Sequence, residues 1–93
     1  MRTGPYKLIR DFAQKHPNTR SALERWYRLM RGRNFRSIAE LCGIFPHADR
    51  VAGWTVFNIG GNRARLIATI HYDEQIVFIR HVLTHAEYDK WRP

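Results

Sequence analysis

The chain has 93 residues, 44 % of them hydrophobic and 13 % aromatic, which suits one domain with a modest core and is too apolar for a disordered segment. Sixteen Lys and Arg against eight Asp and Glu give a net charge of +8, which points to a polyanion or an acidic protein as partner. No apolar run is long enough to span a bilayer, no secretory leader is read at the N-terminus, and the single Cys42 excludes an internal disulfide or a Cys-rich metal site. The expectation is one cytoplasmic domain over residues 1–93, with no membrane partner. Its charge is mostly arginine, because Lys7, Lys15 and Lys90 are the only lysines. Guanidinium groups suit bidentate phosphate contacts and stacking on bases.

Tyr6–His16 carries Leu8, Ile9, Phe12 and Ala13 at helical spacing, and Pro17-Asn18 stops it. A second helix runs to about Arg31 on the stripe Ala22, Leu23, Trp26, Tyr27, Leu29 and Met30. Asn18, Thr19 or Ser21 can cap it, Ser21 and Glu24 have capping-box spacing, and Gly32 ends it. Arg20, Arg25, Arg28, Arg31 and Arg33 flank this helix. They form either a solvated face or a contact surface for RNA or a protein partner. Ser37 and Glu40 predict a short helical turn, closed by Cys42–Pro46. Cys42 reads as a small buried hydrophobe rather than a nucleophile.

Ala48–Ala52 reads as an extended lead-in, with a turn at Gly53. Three apolar runs follow: Thr55–Ile59, Arg63–Tyr72 and Ile76–Leu83. Gly60-Gly61-Asn62 and Asp73-Glu74-Gln75 separate them, which predicts an antiparallel meander. Thr84 and Glu87 form a capping-box pair, so a helical turn starts at Thr84. The plan is α+β: two N-terminal helices on one face of a three- to four-stranded antiparallel sheet, with a short C-terminal helical turn.

Strand alternation places Ala64, Leu66, Ala68, Ile70 and Tyr72 toward the helices, which turns Arg63 and Arg65 to the open face. In the last run both alternating sets are apolar. Arg80 is therefore either a buried ion-pair partner or a site residue. His85 and Tyr88 lie side by side on the last helical turn, where a His can exchange protons and a Tyr can donate one or stack on a base. The bland reading of His85 is a cap or loop histidine. His81 and His85 are four apart but straddle a strand-to-helix junction. No metal motif, P-loop or nucleophile elbow is present.

Asn58-Ile59-Gly60-Gly61-Asn62, Arg65-Leu66-Ile67, Phe78-Ile79-Arg80 and Thr84–Lys90 closely resemble the HigB family of bacterial toxins, within the RelE-like superfamily. Leu8–Pro17 and Trp26-Tyr27 resemble its first two helices, so the likeness covers nearly the whole chain. The resemblance implies a small RelE-like domain that acts as an endoribonuclease (an mRNA interferase), needing no metal or cofactor. It implies mRNA cleavage on the translating ribosome, by attack of a ribose 2′-OH on the adjacent phosphate. It also implies a helix-turn-helix antitoxin of HigA type, with operator DNA reached only through that antitoxin. By this likeness Arg65 stabilises charge, His85 does acid–base or phosphate work, and Tyr88 orients RNA or assists proton transfer. Asn62, Arg63, Arg80 and Lys90 become candidate RNA contacts. A non-catalytic RNA- or ribosome-binding module of the same fold is the alternative, whereas a DNA repressor lacks a helix-turn-helix here. The family opens with an apolar strand, for which this chain has Arg2-Thr3-Gly4-Pro5, so that strand is expected to be shortened or lost.

Overall fold

The computed structural model describes residues 1–93. The element order is β1 (Arg2–Gly4), α1 (Lys7–Lys15), a 3₁₀ turn (Pro17–Thr19), α2 (Arg20–Arg31), α3 (Ile38–Ile44), β2 (Asp49–Val51), β3 (Trp54–Ile59), β4 (Ala64–His71), β5 (Ile76–Thr84) and α4 (His85–Lys90). The α+β plan holds, with one more strand than the upper expectation. The sheet has five strands in the order β1-β5-β4-β3-β2. It is mixed rather than wholly antiparallel, because β1 survives as three residues paired parallel to β5. Polar Arg2 and Thr3 gave no alternation from which a long-range parallel partner could be read.

The helices bury one stripe each against one sheet face. Ile9, Phe12 and Ala13 of α1 and Leu23, Trp26 and Met30 of α2 meet Phe57, Ile59, Ala64, Leu66, Ala68, Val77 and Ile79. Each fully buried large aliphatic or aromatic side chain contributes about 1.5–3 kcal/mol relative to exposure. The expected inward set of β4 is therefore inward. Helix α2 starts at Arg20, one residue before Ser21, so the anticipated Ser21–Glu24 cap does not form. Thr19 stands at the N-cap without a side-chain cap bond, and its hydroxyl donates to the His16 carbonyl at 2.7 Å. Ser37 caps α3 as expected, accepting from the Glu40 N–H at 3.3 Å. Cys42 is half-buried, and its thiol lies 3.5 Å from the Ala48 carbonyl.

The ambiguous alternation of β5 has a physical cause. Ile67 pairs with His81 but Ala68 pairs with Ile79, so Arg80 is the extra residue of a β-bulge. The bulge switches the inward set from Val77 and Ile79 to Val82, and Phe78, His81 and Leu83 share the open face. Arg80 is exposed and has no carboxylate within ion-pair range, so the ion-pair reading fails.

The β4–β5 turn is tied down by Gln75, which adopts φ +57°. Its amide donates to the Phe35 and Tyr72 carbonyls at 2.6 and 2.7 Å and accepts from the Phe35 N–H at 3.2 Å. Its own carbonyl accepts from the Arg2 N–H at 2.9 Å, so one residue joins the turn, β1 and the α2–α3 link. Gln75→Ala strands the backbone groups of buried Phe35, and urea unfolding is expected to show a loss of about 2–4 kcal/mol. A loss under about 1 kcal/mol would remove this bracket from the account.

Candidate active site

One hairpin turn and one cap bring the site together. Gly60 and Gly61 take φ +60° and +71°, conformations open to glycine, and so reverse the chain between β3 and β4. That turn sets Asn62 beside Arg65, the second residue of β4. At the far end of β5, Thr84 and Glu87 form the expected capping box. The Thr84 N–H donates to Glu87 Oε1 at 2.8 Å, and the Glu87 N–H donates to Thr84 Oγ1 at 3.1 Å. The cap starts α4 as β5 ends, at the level where Thr84 pairs with Ala64 and Leu83 with Arg65. His85 and Tyr88, one turn apart on α4, thereby reach the arginine.

Arg65 is only 7 % exposed. The expectation put it on the open face, and it does rise from that face, but the C-terminal segment covers it. Its guanidinium donates to the Ala64 carbonyl at 3.2 Å and to Asn62 Oδ1 at 3.1 Å. The same Nη2 that reaches Asn62 lies 3.3 Å from His85 Nδ1. Its carbon stands 5.6 Å from the Tyr88 ring centroid, within cation–π range. None of these partners carries a negative charge, and no carboxylate lies within ion-pair range. Taking a charge out of water costs several kcal/mol unless it is compensated. The site thus holds a positive charge that the protein itself does not cancel.

The contact with Arg65 assigns the imidazole tautomer. A guanidinium has donors only, so Nδ1 must accept, and a neutral His85 carries its proton on Nε2. That nitrogen faces Asp89 Oδ2 at 3.7 Å, too long for a hydrogen bond but close enough for electrostatic attraction. Both side chains are more than half exposed, at 55 % and 62 %, so Nε2 is open to an incoming ligand.

Tyr88 also packs against a group of rings that the sequence analysis does not single out. Trp91 stacks on it with centroids 6.0 Å apart and planes 19° apart. Trp91 meets the Trp54 ring edge-to-face at 5.8 Å, and His81 lies 6.2 Å from both tryptophans. Beneath these rings Val56 and Ile67 are buried on the face away from the helices. They form a second small apolar layer that seats α4. The alternation of Trp54 and Val56 with inward Thr55 and Phe57 was the available clue to it.

The remaining candidates lie outside this cluster. Arg63 turns back toward the helices, where its Nη1 donates to the Asn18 carbonyl at 3.3 Å. It leaves the open face because it belongs to the turn, before the pleat of β4 begins. Arg80 sits on the open face beside Thr69, which is four residues, roughly 13 Å, along β4 from Arg65. Lys90 is exposed in the last turn of α4.

The Thr84 backbone bond holds the Glu87 carboxyl below its usual value, against slight desolvation. The Thr84 side chain and the charges of His16 and Lys15 at the end of α1 add to the effect. A carboxylate with a depressed folded pKa contributes stability above its unfolded value, near 4.5, and loses it as pH falls through the folded value. α4 is therefore expected to fray in acid, seen as faster amide exchange over residues 85–90. Thr84→Ala is expected to produce the same fraying at neutral pH, at a cost of about 1 kcal/mol. Unchanged exchange in that variant would detach the cap from the site.

Residues 19–91 match the family model HigB_toxin, described as the RelE-like toxic component of a toxin–antitoxin system. An mRNA interferase HigB of Escherichia coli O6:H1 (strain CFT073) is 37 % identical over 83 residues, covering 86 % of this chain and 81 % of that protein. The mRNA interferase toxin HigB of Escherichia coli K12 is 33 % identical over 86 residues, covering 89 % and 83 % of the two chains. An mRNA interferase HigB of Shigella flexneri matches to the same extent, 33 % over 86 residues. The chain belongs to the HigB family of RelE-like toxins, the toxic component of a toxin–antitoxin system.

Proposed function

We infer that the protein is a toxin that cleaves mRNA as an endoribonuclease, and that the Arg65–His85 cluster is where it does so. One observation carries the placement: the buried, uncompensated Arg65 charge stands 3.3 Å from an imidazole whose other nitrogen is accessible. An anion brought to this cluster completes its electrostatics. The matching reaction is in-line attack of a ribose 2′-OH on the adjacent phosphate. The 2′-oxygen–phosphorus bond forms and the phosphorus–5′-oxygen bond breaks. The products are a 2′,3′-cyclic phosphate, which can open to a 3′-phosphate, and a 5′-hydroxyl.

Arg65 stabilises the charge that gathers on the phosphorane-like oxygens, preorganised by Asn62 and the Ala64 carbonyl. His85 exchanges a proton through Nε2. The ring takes up the proton released on the 2′-OH side and gives one to the leaving 5′-oxygen, so it ends the step neutral as it began. Tyr88, clamped between guanidinium contact and Trp91 stacking, orients the strand or relays a proton. Arg63, Arg80 and Lys90 supply contacts to the more distant backbone. The wider reading follows the family: action in the cytoplasm on the translating ribosome, neutralisation by a helix-turn-helix antitoxin of HigA type, and operator DNA reached only through that antitoxin.

The test is end-group analysis of mRNA incubated with ribosomes and purified protein. The expected fragments carry 5′-hydroxyl ends and upstream 2′,3′-cyclic or 3′-phosphates. Ends of the opposite polarity would overturn the 2′-OH mechanism, and intact mRNA that stays bound would favour a non-catalytic binder.

A further inference from the structure

The open face carries a second constellation that the cleavage chemistry does not use. Phe78 is a large aromatic 37 % exposed in the middle of a strand pair, where β5 meets Thr69 of β4. A single exposed ring is ordinary on a protein surface, and what sets this one apart is the cation and the trough beside it. Arg80 lies over this ring, its guanidinium carbon 4.9 Å from the centroid. Its Nε donates to Thr69 Oγ1 at 3.0 Å, which fixes the head group and leaves the terminal nitrogens free. His71 meets the far side edge-on at 5.4 Å, and the nearby Glu74 is directed to His71 at 4.0 Å rather than to Arg80. Beside the ring a mostly apolar trough of about 410 Å³ runs along the β1–β5 seam, between residues 2–5 and 76–78. This volume falls within the range of ligand clefts, about 300–1,000 Å³.

We propose that Phe78, Arg80 and this trough form a subsite for a base and phosphate of the single-stranded RNA flanking the cleaved bond. The inference deepens the nuclease reading and rests on it for the identity of the strand. Continuity selects this occupant. From Arg65 the open face leads past exposed His81 and the Trp54 ring to Phe78 and Arg80, a distance of roughly 13 Å along β4. Arginines stand at the two ends of that line with rings between them, and sequence-tolerant binding of a single strand needs both kinds of group. The aromatic floor takes a base by stacking, and the free guanidinium nitrogens take its phosphate. Charge complementarity agrees, since the chain carries +8 and no carboxylate pairs with Arg80.

The test uses uncleavable 2′-O-methyl RNA and fluorescence anisotropy, so that binding is read apart from chemistry. Strands of increasing length are compared on wild-type protein, Phe78→Ala, Phe78→Tyr and Arg80→Gln. Wild-type affinity is expected to step up once the strand reaches the trough. Phe78→Ala is expected to lose about 5- to 150-fold of that step, the range for one stacked base. Phe78→Tyr is expected to keep it, and Arg80→Gln to flatten its salt dependence. An equal step in Phe78→Ala, or equal weakening of short and long strands, would overturn the subsite. Loss of antitoxin binding with the RNA step intact would assign the surface to a protein partner instead. A wild-type protein that shows the step but leaves mRNA on the ribosome uncut would overturn the nuclease reading and retain the subsite.

Discussion

Replacing Arg65 by alanine is expected to lower the cleavage rate by about 10²–10³-fold, the usual loss on removing one preorganised donor from a developing oxyanion. The same variant is expected to melt at or above the wild-type temperature. Those two outcomes are linked. Arg65 is buried, and no acid neutralises it. Its desolvation opposes folding, while its partners at 3.1–3.3 Å offset only part of the cost. On the proposed reading, the cost of burying this charge is offset when an anionic ligand binds. Arg65→Lys keeps a charge but loses the planar fork that binds Asn62 and His85 together, so it is expected to recover only part of the rate. Single-turnover cleavage beside a thermal melt reads both effects. A large fall in melting temperature with near-normal cleavage would make Arg65 a structural residue.

Replacing His85 by alanine is expected to cost about 10²–10⁴-fold, the range for a positioned acid or base. His85→Gln is the sharper variant. Its carbonyl can still accept from Arg65, as Nδ1 does at 3.3 Å, yet its amide nitrogen neither takes up nor releases a proton near neutral pH. The glutamine variant is therefore expected to hold Arg65 in place, bind RNA normally and fail in chemistry. Since the His85 side chain is 55 % exposed at the first position of α4, neither change should disturb the core. Cleavage by His85→Gln near the wild-type rate would remove the proton-transfer role and leave only the acceptor role.

Much of this was legible because local chemistry fixes local geometry. The Thr84–Glu87 and Ser37–Glu40 pairs announced helix starts. The glycines before Asn62 announced a hairpin, and the alternation Ala64, Leu66, Ala68 gave the inward face. The residues alone single out His85 and Tyr88 and turn Arg65 outward, the family resemblance gives the three their roles, and the fold brings them together with Asn62. What stayed hidden depends on pairing across distance. The β1 strand has no pattern of its own and exists because β5 offers it an edge. The bulge at Arg80 breaks the two-residue period, which is why both alternating sets of β5 looked apolar. Arg65 reads as an outward residue until Trp54 and Trp91 close a second layer over Val56 and Ile67. Arg63 sits two positions from Arg65, yet the hairpin turn sends it to the opposite side, against Asn18.

The most direct test of the central claim is primer extension on a reporter mRNA after induced expression in a bacterial host. Wild-type protein, Arg65→Ala and His85→Gln are compared at equal soluble levels. Growth arrest with new 5′ ends is expected for wild type, and the loss of both in each variant. New ends that persist in both variants would place the chemistry elsewhere, and arrest without new ends would mean a protein that blocks translation by binding alone.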